Sequence, residues 1–494
     1  MSYSIEFSSF PDFAGNTSAP NIFSYNLLQN LAQLSGSAPV LRVGGNTQDI
    51  AVFDSSLETA LVGIFNTNIS SDYPTTITIG PAYFESYTTL PGIQFVHGFN
   101  LGGNSSRARA GTLASVSYAC KAIGNSLLYW EYGNEPDLFQ VSGYRNTSYD
   151  ETDYVDQWLN GTRAFHQELQ QACPDMATPE RFKFLAPSLA GAARSAFNTL
   201  DPLDIWQAGL NADRSIGLVS SHNYMGVSTA LGITLQGTLM NHSNVIANVD
   251  KQVNESRRIS GLSDELNPNV PFILGEHNSL ARQGRPGLSN SFGAALWGLD
   301  YNLYIASQNI SRSHMHMGTN YRYQAWQPIE TNKTVKGTKP PYYGNAAVAA
   351  FMSHSNSTTI QVTHLDQHSE VDTSYAAHID GVLSRIALLN LRTYNTSDWN
   401  SNFTSNYTRT VATYDVVLPS SCSGTADVKR LLANGSDAIT GITWDGYSYN
   451  YELDNGAPVL LSNVTRGETV TVGQNGWIQV QVTDSSAAIV EVSC

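Results

Sequence analysis

Up to about residue 330, the chain repeats one pattern, in which a short apolar run precedes a longer amphipathic stretch. Eight runs have the length and composition of strands: Tyr3–Phe7, Val40–Val43, Ile93–Phe99, Leu127–Tyr129, Phe182–Ala186, Gly217–Ser220, Val270–Leu274 and Ser311–Met315. Helical periodicity lies between most of them: Asn21–Leu34, Arg107–Ile123, Asp153–Ala172, Val245–Ile259 and Phe292–Gln308. Eight such strand–helix units over roughly 300 residues favour a closed (β/α)8 barrel over an open sheet.

The pattern changes after Pro340-Pro341, where short β runs alternate with turns rich in Ser, Asn, Asp and Gly. Such spacing is typical of an antiparallel β-sandwich. Because 494 residues exceed what one hydrophobic core usually serves, we expect two domains. The predicted bounds are 1–335 for a catalytic barrel and 345–494 for the β-sandwich accessory domain. No long low-complexity linker separates them, so we expect them to pack tightly.

Acceptor sequences for N-glycosylation are unusually frequent in this chain. Asn-X-Ser/Thr occurs at Asn16, Asn68, Asn104, Asn146, Asn160, Asn241, Asn254, Asn309, Asn332, Asn356, Asn395, Asn402, Asn406, Asn434 and Asn463. Some of these sequons are expected by chance in an Asn/Ser/Thr-rich chain. Their number and spread nevertheless predict a secreted, extracellular glycoprotein.

The four cysteines agree with an oxidising compartment. Cys422 and Cys494 bracket the last segment, and Cys120 could pair with Cys173, but three connectivities and free buried thiols all stay open. No signal peptide is present: Met1 directly precedes a strand-like run, which we interpret as a trimmed or incomplete N-terminus. No segment has the roughly 18 apolar residues of a membrane span.

The charge balance excludes several classes of partner. A formal net charge of −15, without any cluster of Lys and Arg, argues against nucleic acid. The same acidity disfavours densely sulfated polysaccharides. No cofactor is expected, because no nucleotide or phosphate fingerprint is present. His314 and His316 alternate along one strand, but without a third ligand at suitable spacing they predict no metal site and are expected to line the barrel interior or mouth.

Two glutamates follow the predicted fourth and seventh strands: Glu135, within Asn134-Glu135-Pro136, and Glu276. Barrel enzymes carry their catalytic groups at these strand ends, and retaining glycosidases need two carboxyl groups about 5 Å apart. Either glutamate alone could instead be a helix-capping or solvated side chain. Because both glutamates follow the expected strands, they are interpreted as a catalytic pair. Asn134, directly before Glu135, is placed to bind a sugar 2-hydroxyl.

These motifs resemble the clan A glycoside hydrolases. The run Leu-Arg-Val-Gly-Gly-Asn-Thr-Gln-Asp at residues 41–49 is similar, more specifically, to family 79, the heparanase and β-glucuronidase family. The resemblance spans the barrel to about residue 325 and the sandwich-like tail. It implies that Glu135 is the acid/base and Glu276 the nucleophile, with Arg42 holding Glu276 ionised.

The resemblance also implies a set of supporting and sugar-binding residues. His222 and Tyr224 resemble the family's His-X-Tyr pair, in which the tyrosine orients the nucleophile; a core tyrosine is the alternative. The uronate carboxylate is expected to meet Tyr321 and backbone amides around Gly284, in the loop 281–285. That loop departs from the family's glycine run, so the register stays open by a residue or two, and Arg282 or Arg285 could contribute charge.

Asn46 is expected to contact a ring hydroxyl. The leading hypothesis is therefore a monomeric, retaining exo-β-glucuronidase that releases terminal glucuronic acid, with or without a 4-O-methyl group, from glycans. Three alternatives stay open: an endo-acting heparanase-like enzyme, a clan A glycosidase for neutral β-glycosides, and a glycan-binding module that has lost activity.

Overall fold

The computed structural model describes residues 1–355, 357–396 and 408–494. Eight strands, β1 to β8, form a closed barrel: Ser2–Glu6, Val40–Gly44, Gln94–Phe99, Leu127–Tyr132, Phe184–Leu189, Ile216–Tyr224, Phe272–Asn278 and Ser313–Met317. Every neighbouring pair is parallel, and β1 pairs with both β2 and β8. The predicted barrel fold is confirmed.

Six of the eight strands, all except β1 and β3, extend further toward their carboxyl ends than the apolar runs indicate. Strand β6 continues to Tyr224 and β7 to Asn278, and their last residues pair with each other in parallel register. The polar residues at these ends thus remain within the hydrogen-bonded sheet. Because apolar patterning stops where polar site residues begin, it underestimates the strands that carry the site.

The described helices are α1 to α9: Phe10–Ala14, Ile22–Ser35, Ser106–Ile123, Glu151–Ala172, Pro202–Gln207, His242–Ser260, Phe292–Ser307, Pro340–Phe351 and Tyr451–Asp454. The five predicted helices correspond to α2, α3, α4, α6 and α7. Four of these begin at a polar residue whose side chain accepts a hydrogen bond from a first-turn amide: Asn21, Ser105, Asp150 and Asn241. Such N-caps fix where each helix starts.

Helix α8 was not predicted, since Pro340-Pro341 was interpreted as a break in the pattern. Proline is well tolerated in the first turn of a helix, where its missing N–H leaves no bond unmade. All residues of α8 are buried, and the helix packs against α7 and α2. It therefore has no polar face, and without one the sequence shows no amphipathic period.

The C-terminal region is antiparallel. Its larger sheet has the spatial order Ile360–Leu365, Asp372–Ile379, Val382–Asn390, Ser486–Glu491, Thr425–Leu432, Thr443–Trp444, Tyr447–Ser448 and Val459–Leu460, and Glu468–Thr471 also pairs with Thr425–Leu432. The facing pair is Val411–Val417 with Trp477–Thr483. Apolar residues from both sheets form one buried cluster. The predicted β-sandwich is confirmed, and the bounds 1–335 and 345–494 stay a prediction.

Smaller strands decorate the barrel. A three-stranded sheet of Ala51–Phe53, Leu61–Ile64 and Thr76–Ile79 lies between β2 and β3, and two-residue pairs join Gly15–Asn16 to Ala19–Pro20 and Trp326–Gln327 to Gly337–Thr338. Two disulfides select one of the open connectivities. Cys120–Cys173 links α3 to the end of α4, and Cys422–Cys494 fixes the C-terminus.

A buried polar contact joins the barrel to the sandwich. Asp300 on α7 lies 3.0 Å from Nδ1 of His242 on α6 and accepts a hydrogen bond from the Tyr375 hydroxyl at 2.6 Å. The Nε2 atoms of His242 and His364 are 2.9 Å apart. A carboxylate enclosed in this way fixes the relative position of helices and strands because it is satisfied only when both are in place.

The surface agrees with many exposed glycan acceptors. Among the sequon asparagines in the described ranges, Asn241 and Asn395 are half-buried and the others are exposed. Asn356, Asn402 and Asn406 lie outside the described residues. Across those described ranges, the helices are all too short or too polar to cross a membrane.

Candidate active site

Polar side chains converge where the barrel strands end. Glu6 ends β1, Arg42 lies in β2, Glu131 lies in β4 and Glu276 lies in β7, and all four are buried. In barrels of this kind the carboxyl ends of the strands form one face of the molecule. The site is therefore assembled from residues far apart in sequence.

Arg42 is the centre of this network and is completely buried. Its Nε and Nη2 bind the two carboxylate oxygens of Glu131 at 2.8 and 3.1 Å. Its Nη2 also donates to Oδ1 of Asn134 at 2.7 Å, while Nη1 donates to Oγ of Ser4 at 2.9 Å and Oε2 of Glu276 at 2.7 Å. Each N–H of the guanidinium has a partner, so its position is fully determined.

Glu276 is held as an ionised carboxylate. Arg42 binds one of its oxygens, and the Tyr224 hydroxyl donates to the other at 2.7 Å. Nδ1 of His316 lies 3.5 Å from Oε2. Burial alone would raise the pKa of Glu276, but positive charge at His316 and Arg42 and the hydrogen bond from Tyr224 hold it well below its ordinary value. The structure thus brings Arg42 and Tyr224 into direct contact with Glu276.

Glu135 has the opposite environment. Its Oε1 lies 2.9 Å from Nδ1 of His222, and its amide donates to the Ser188 carbonyl at 2.9 Å. Burial and the negative charge of Glu276 raise the pKa of Glu135 to about 8, while burial lowers the pKa of His222 to about 4. Both shifts place the shared proton on the carboxyl group, which then donates to a neutral imidazole.

The two carboxyl groups are close together. One oxygen of Glu135, one oxygen of Glu276 and one nitrogen of His222 all lie within 4.8 Å of one another. Carboxyl separations of roughly 5–5.5 Å are typical of retaining glycosidases, and roughly 6.5–9.5 Å of inverting ones. The same three groups have the spacing of metal ligands, but the guanidinium of Arg42 on Glu276 and the proton on Glu135 oppose a bound cation.

Asn46 and Asn134 lie side by side at this face. Nδ2 of Asn134 donates to Oδ1 of Asn46 at 3.3 Å, and Asn46 is exposed. The amide of Asn134 donates to Asp49 at 2.8 Å. The structure therefore brings both predicted sugar-contacting amides next to the carboxyl pair.

Tyr321 is in the site, but its hydroxyl already has a protein partner. It donates to Oε2 of Glu6 at 3.0 Å, while Oε1 of Glu6 accepts from the amide and hydroxyl of Thr47 at 2.8 and 2.6 Å. Nε2 of His316 lies 3.3 Å from Glu6. Glu6 was not among the predicted site residues, and His316 was expected only to line the barrel interior or mouth. The position of Glu6 at the end of the first strand was a signal that could have identified it.

The loop after β7 has an unusual backbone. Arg282, Gln283 and Gly284 have φ values of 63°, 61° and 78° in succession. Such conformations cost free energy in non-glycine residues and cluster at functional sites. The amide of Gly284 donates to the Leu280 carbonyl at 3.1 Å. In the part of the chain that the structure describes, the amides of Arg282 and Gln283 have no hydrogen-bond acceptor.

A hairpin tip contacts the loop that carries Tyr321. Residues 65–75, between two strands of the small sheet, reach the loop that follows β8. Asp72 binds Arg322 at 2.8 Å, and Lys333 donates to the Ser71 carbonyl. Arg322 also contacts the loop after β7, since its amide donates to the Gln283 carbonyl at 2.8 Å. The hairpin tip and the loops after β7 and β8 are thus held together by direct contacts.

A closed barrel with one glutamate just after its fourth strand and another on its seventh, their carboxyl groups close together, is the architecture of the barrel glycoside hydrolases. The family model for the glycosyl hydrolase family 79 C-terminal beta domain matches residues 374–489. A curated "Beta-glucuronidase" of Aspergillus niger is 51% identical over 100% of this chain and 90% of its own length. Another, of Neurospora crassa, is 49% identical over 99% of this chain and 93% of its own length.

Among solved structures, a 4-O-α-L-rhamnosyl-β-D-glucuronidase from Fusarium oxysporum shares the fold, with a TM-score of 0.76, 24% identity and coverage of 99% of this chain and 95% of that one. Identity of about half over the full length establishes the relationship. The chain belongs to glycoside hydrolase family 79.

Replacing Arg42 by lysine tests the network. Lysine keeps the charge but has three donors in place of five, so the five hydrogen bonds that Arg42 makes cannot all be kept. We expect Arg42→Lys to lower the free energy of unfolding by roughly 3 kcal/mol, as measured by chemical denaturation. The matched control is Arg163→Lys, at an exposed pair with Asp213, where we expect a change of about 0.5 kcal/mol or less. Equal effects at both sites would contradict the buried network.

Proposed function

We propose that this enzyme is a retaining exo-β-glucuronidase, which removes terminal β-linked glucuronic acid from glycans by double displacement. The observation that carries the proposal is a pair of carboxyl groups with oxygens within 4.8 Å of each other and with opposite surroundings, which lower the pKa of Glu276 and raise that of Glu135. The curated relatives named β-glucuronidase at about half identity support the choice of sugar.

In the first step, Glu276 attacks the anomeric carbon and Glu135 donates its proton to the leaving oxygen. The bond to the aglycone breaks, and an ester forms between Glu276 and the sugar. Arg42 and Tyr224 keep the attacking carboxylate ionised and oriented until it reacts. His222 holds the proton-bearing carboxyl group in place.

The second step uses the electrostatic coupling of the two carboxyl groups. The negative charge of Glu276 is one cause of the high pKa of Glu135. Ester formation removes that charge, so the pKa of Glu135 falls once it has given up its proton. Glu135 is then a base that takes a proton from water, and the water attacks the anomeric carbon and releases Glu276.

The uronate carboxylate is assigned to the loop 281–285. The amide of Gly284 is already bonded to Leu280, which leaves the amides of Arg282 and Gln283 as donors for an anion. The backbone of Gly284 lets the loop pass close to its neighbours, because a Cβ there would lie 2.9 Å from the amide nitrogen of Tyr323. Tyr321 is the second proposed contact, and its hydroxyl, which donates to Glu6 in this structure, must turn from Glu6 to the uronate to donate to it.

We propose that Asn46 and Asn134 contact ring hydroxyls, and that the hairpin tip at residues 65–75 closes one side of the site and so favours exo action. The ion pair between Asp72 and Arg322 fixes residues 65–75 across one side of the site. A closed side accommodates a chain end and obstructs a continuous polysaccharide. Net charge also opposes polysulfated substrates. These observations favour terminal glucuronic acid over internal cleavage.

Turnover of a chromogenic aryl β-glucuronide tests the activity and both catalytic roles. Wild type is expected to release the phenol, and Glu276→Ala to lose about 10⁴-fold or more in kcat. Added azide should then give an α-glucuronyl azide with Glu276→Ala and a β-glucuronyl azide with Glu135→Ala, because azide replaces a different group in each variant. Hydrolysis of β-glucosides or β-xylosides without glucuronide turnover would reject the proposed substrate, and full activity of Glu276→Ala would reject the nucleophile.

The pH profile of kcat/KM is the second test. Glu135 must carry its proton to act as an acid, and its raised pKa keeps the proton until about pH 8. We therefore expect kcat/KM to fall as the pH rises through about 8. The residual activity of Glu135→Gln should lack this alkaline limb. A wild-type limb near the ordinary glutamate range would contradict the protonated state of Glu135.

We propose that the protein is secreted and glycosylated and acts as a monomer, with a glucuronic-acid-containing glycan as its partner. The exposed sequon asparagines and the two disulfides support this compartment. Protein recovered from the medium of a fungal culture should shift in apparent mass on enzymatic removal of N-glycans. Peptide mapping should find exposed Asn16, Asn104 and Asn254 modified more fully than half-buried Asn241. Unmodified asparagines at the exposed sites would contradict secretion by this route.

A further inference from the structure

Asp49 closes the family-79-like run at residues 41–49 and has no role in the reaction described above. It is buried, and its carboxylate accepts three backbone hydrogen bonds. Oδ1 accepts from the amides of Leu101 and Gly102 at 2.8 and 2.9 Å, and Oδ2 accepts from the amide of Asn134 at 2.8 Å. One side chain from the loop after β2 therefore binds the loops after β3 and β4.

The backbone around Asn134 makes this bond important for geometry. Gly133 has a φ of 89° and Glu135 a φ of 52°, so the chain turns sharply on both sides of Asn134. A left-handed conformation at a glutamate is sustained only by surrounding contacts. Three consecutive amides anchor this turn: that of Gly133 donates to the Phe99 carbonyl at 3.0 Å, that of Asn134 to Asp49, and that of Glu135 to the Ser188 carbonyl. Of these, only the bond from Asn134 depends on a side chain.

The loop after β3 is built to receive Asp49. A Cβ on Gly102 would lie 2.7 Å from the Cβ of Asp49, so glycine is needed for the close approach. From the other side, Arg145 donates to the carbonyls of Leu101 and Gly102 at 2.8 and 2.9 Å. The loop after β3 is therefore held on two sides, since Asp49 binds its amides and Arg145 binds its carbonyls.

We propose that Asp49 is a positioning residue for the acid step, acting through the backbone of Asn134 to aim Glu135 at the leaving oxygen. The proposal rests on the proposed function, in which Glu135 is the acid. Burial raises the pKa of Asp49 to about 7 against the lowering effect of its three amide bonds. Burying a carboxylate costs free energy, and an apolar side chain of similar size would fill the same space without that cost.

The test is Asp49→Asn with two kinds of leaving group. Asparagine retains one acceptor oxygen but presents an NH2 group, so at least one of the three amides loses its partner. Alkyl β-glucuronides need protonation to depart, whereas a glucuronide of an acidic phenol departs with little help. We expect kcat/KM to fall about 100-fold on the alkyl substrate and about 5-fold or less on the activated aryl substrate.

Gly102→Ala provides a second, milder variant, because its Cβ displaces Asp49 without removing the carboxylate. We expect kcat/KM of Gly102→Ala to fall more on the alkyl substrate than on the aryl substrate, as in Asp49→Asn, but by a smaller factor. Glu255→Gln is the matched control: Glu255 is also a buried carboxyl group with a raised pKa, and it bonds Ser221 behind the barrel wall. Glu255→Gln should leave the ratio of kcat/KM on the alkyl substrate to kcat/KM on the aryl substrate unchanged.

Amide hydrogen exchange supplies a readout that does not need activity. The peptide containing residues 133–138 should exchange faster in Asp49→Asn than in wild type, and unchanged in Glu255→Gln. Equal losses on both substrates, or unchanged exchange of this peptide, would overturn the positioning role. Absence of glucuronide turnover in wild type would instead reject the proposed function, and equal loss on both substrates in Glu135→Gln would reject Glu135 as the acid.

Discussion

The guanidinium of Arg42 is the interaction on which the site depends. It lies in the barrel, completely buried, and binds groups from β1, β4 and β7 at once. Buried carboxylates are costly unless they are paired and hydrogen-bonded, and Arg42 gives both Glu131 and Glu276 a charged partner. Glu131 uses both its oxygens to orient the guanidinium, and this orientation directs Nη1 of Arg42 at Glu276. The barrel and the site therefore form together.

The same arrangement separates the protonation states of two similar side chains. Glu276 contacts Arg42, Tyr224 and His316, all of which favour its charge. Glu135 contacts neutral His222 and senses the negative charge of Glu276. Two carboxyl groups in one cleft acquire different roles through their neighbours rather than through any difference in their own chemistry.

Features with a local or periodic cause could be predicted from the sequence. The barrel, the sandwich and five long helices follow from hydrophobic period and polar caps, and strand ends identify Glu135 and Glu276 as candidates. Helix α8 escaped because it is buried on all sides and has no polar face. The pairing of Tyr321 with Glu6 and the left-handed loop at Arg282 depend on contacts between distant segments, which no local pattern encodes.

The proposed anionic sugar must bind to a protein whose net charge is itself negative, so the groups around the site must offset that charge locally. The net charge is −15, yet Arg282 and Arg322 lie on the loops around the site. Asp72 neutralises Arg322, while Arg282 forms no ion pair with the residues that the structure describes. Exposed charges act over about 8–10 Å at ordinary ionic strength, so one uronate is bound mainly by the groups next to it. In the proposed function, a polyanionic chain extends beyond these groups and meets the net negative charge of the protein, which favours a single terminal uronate over a polysulfated strand.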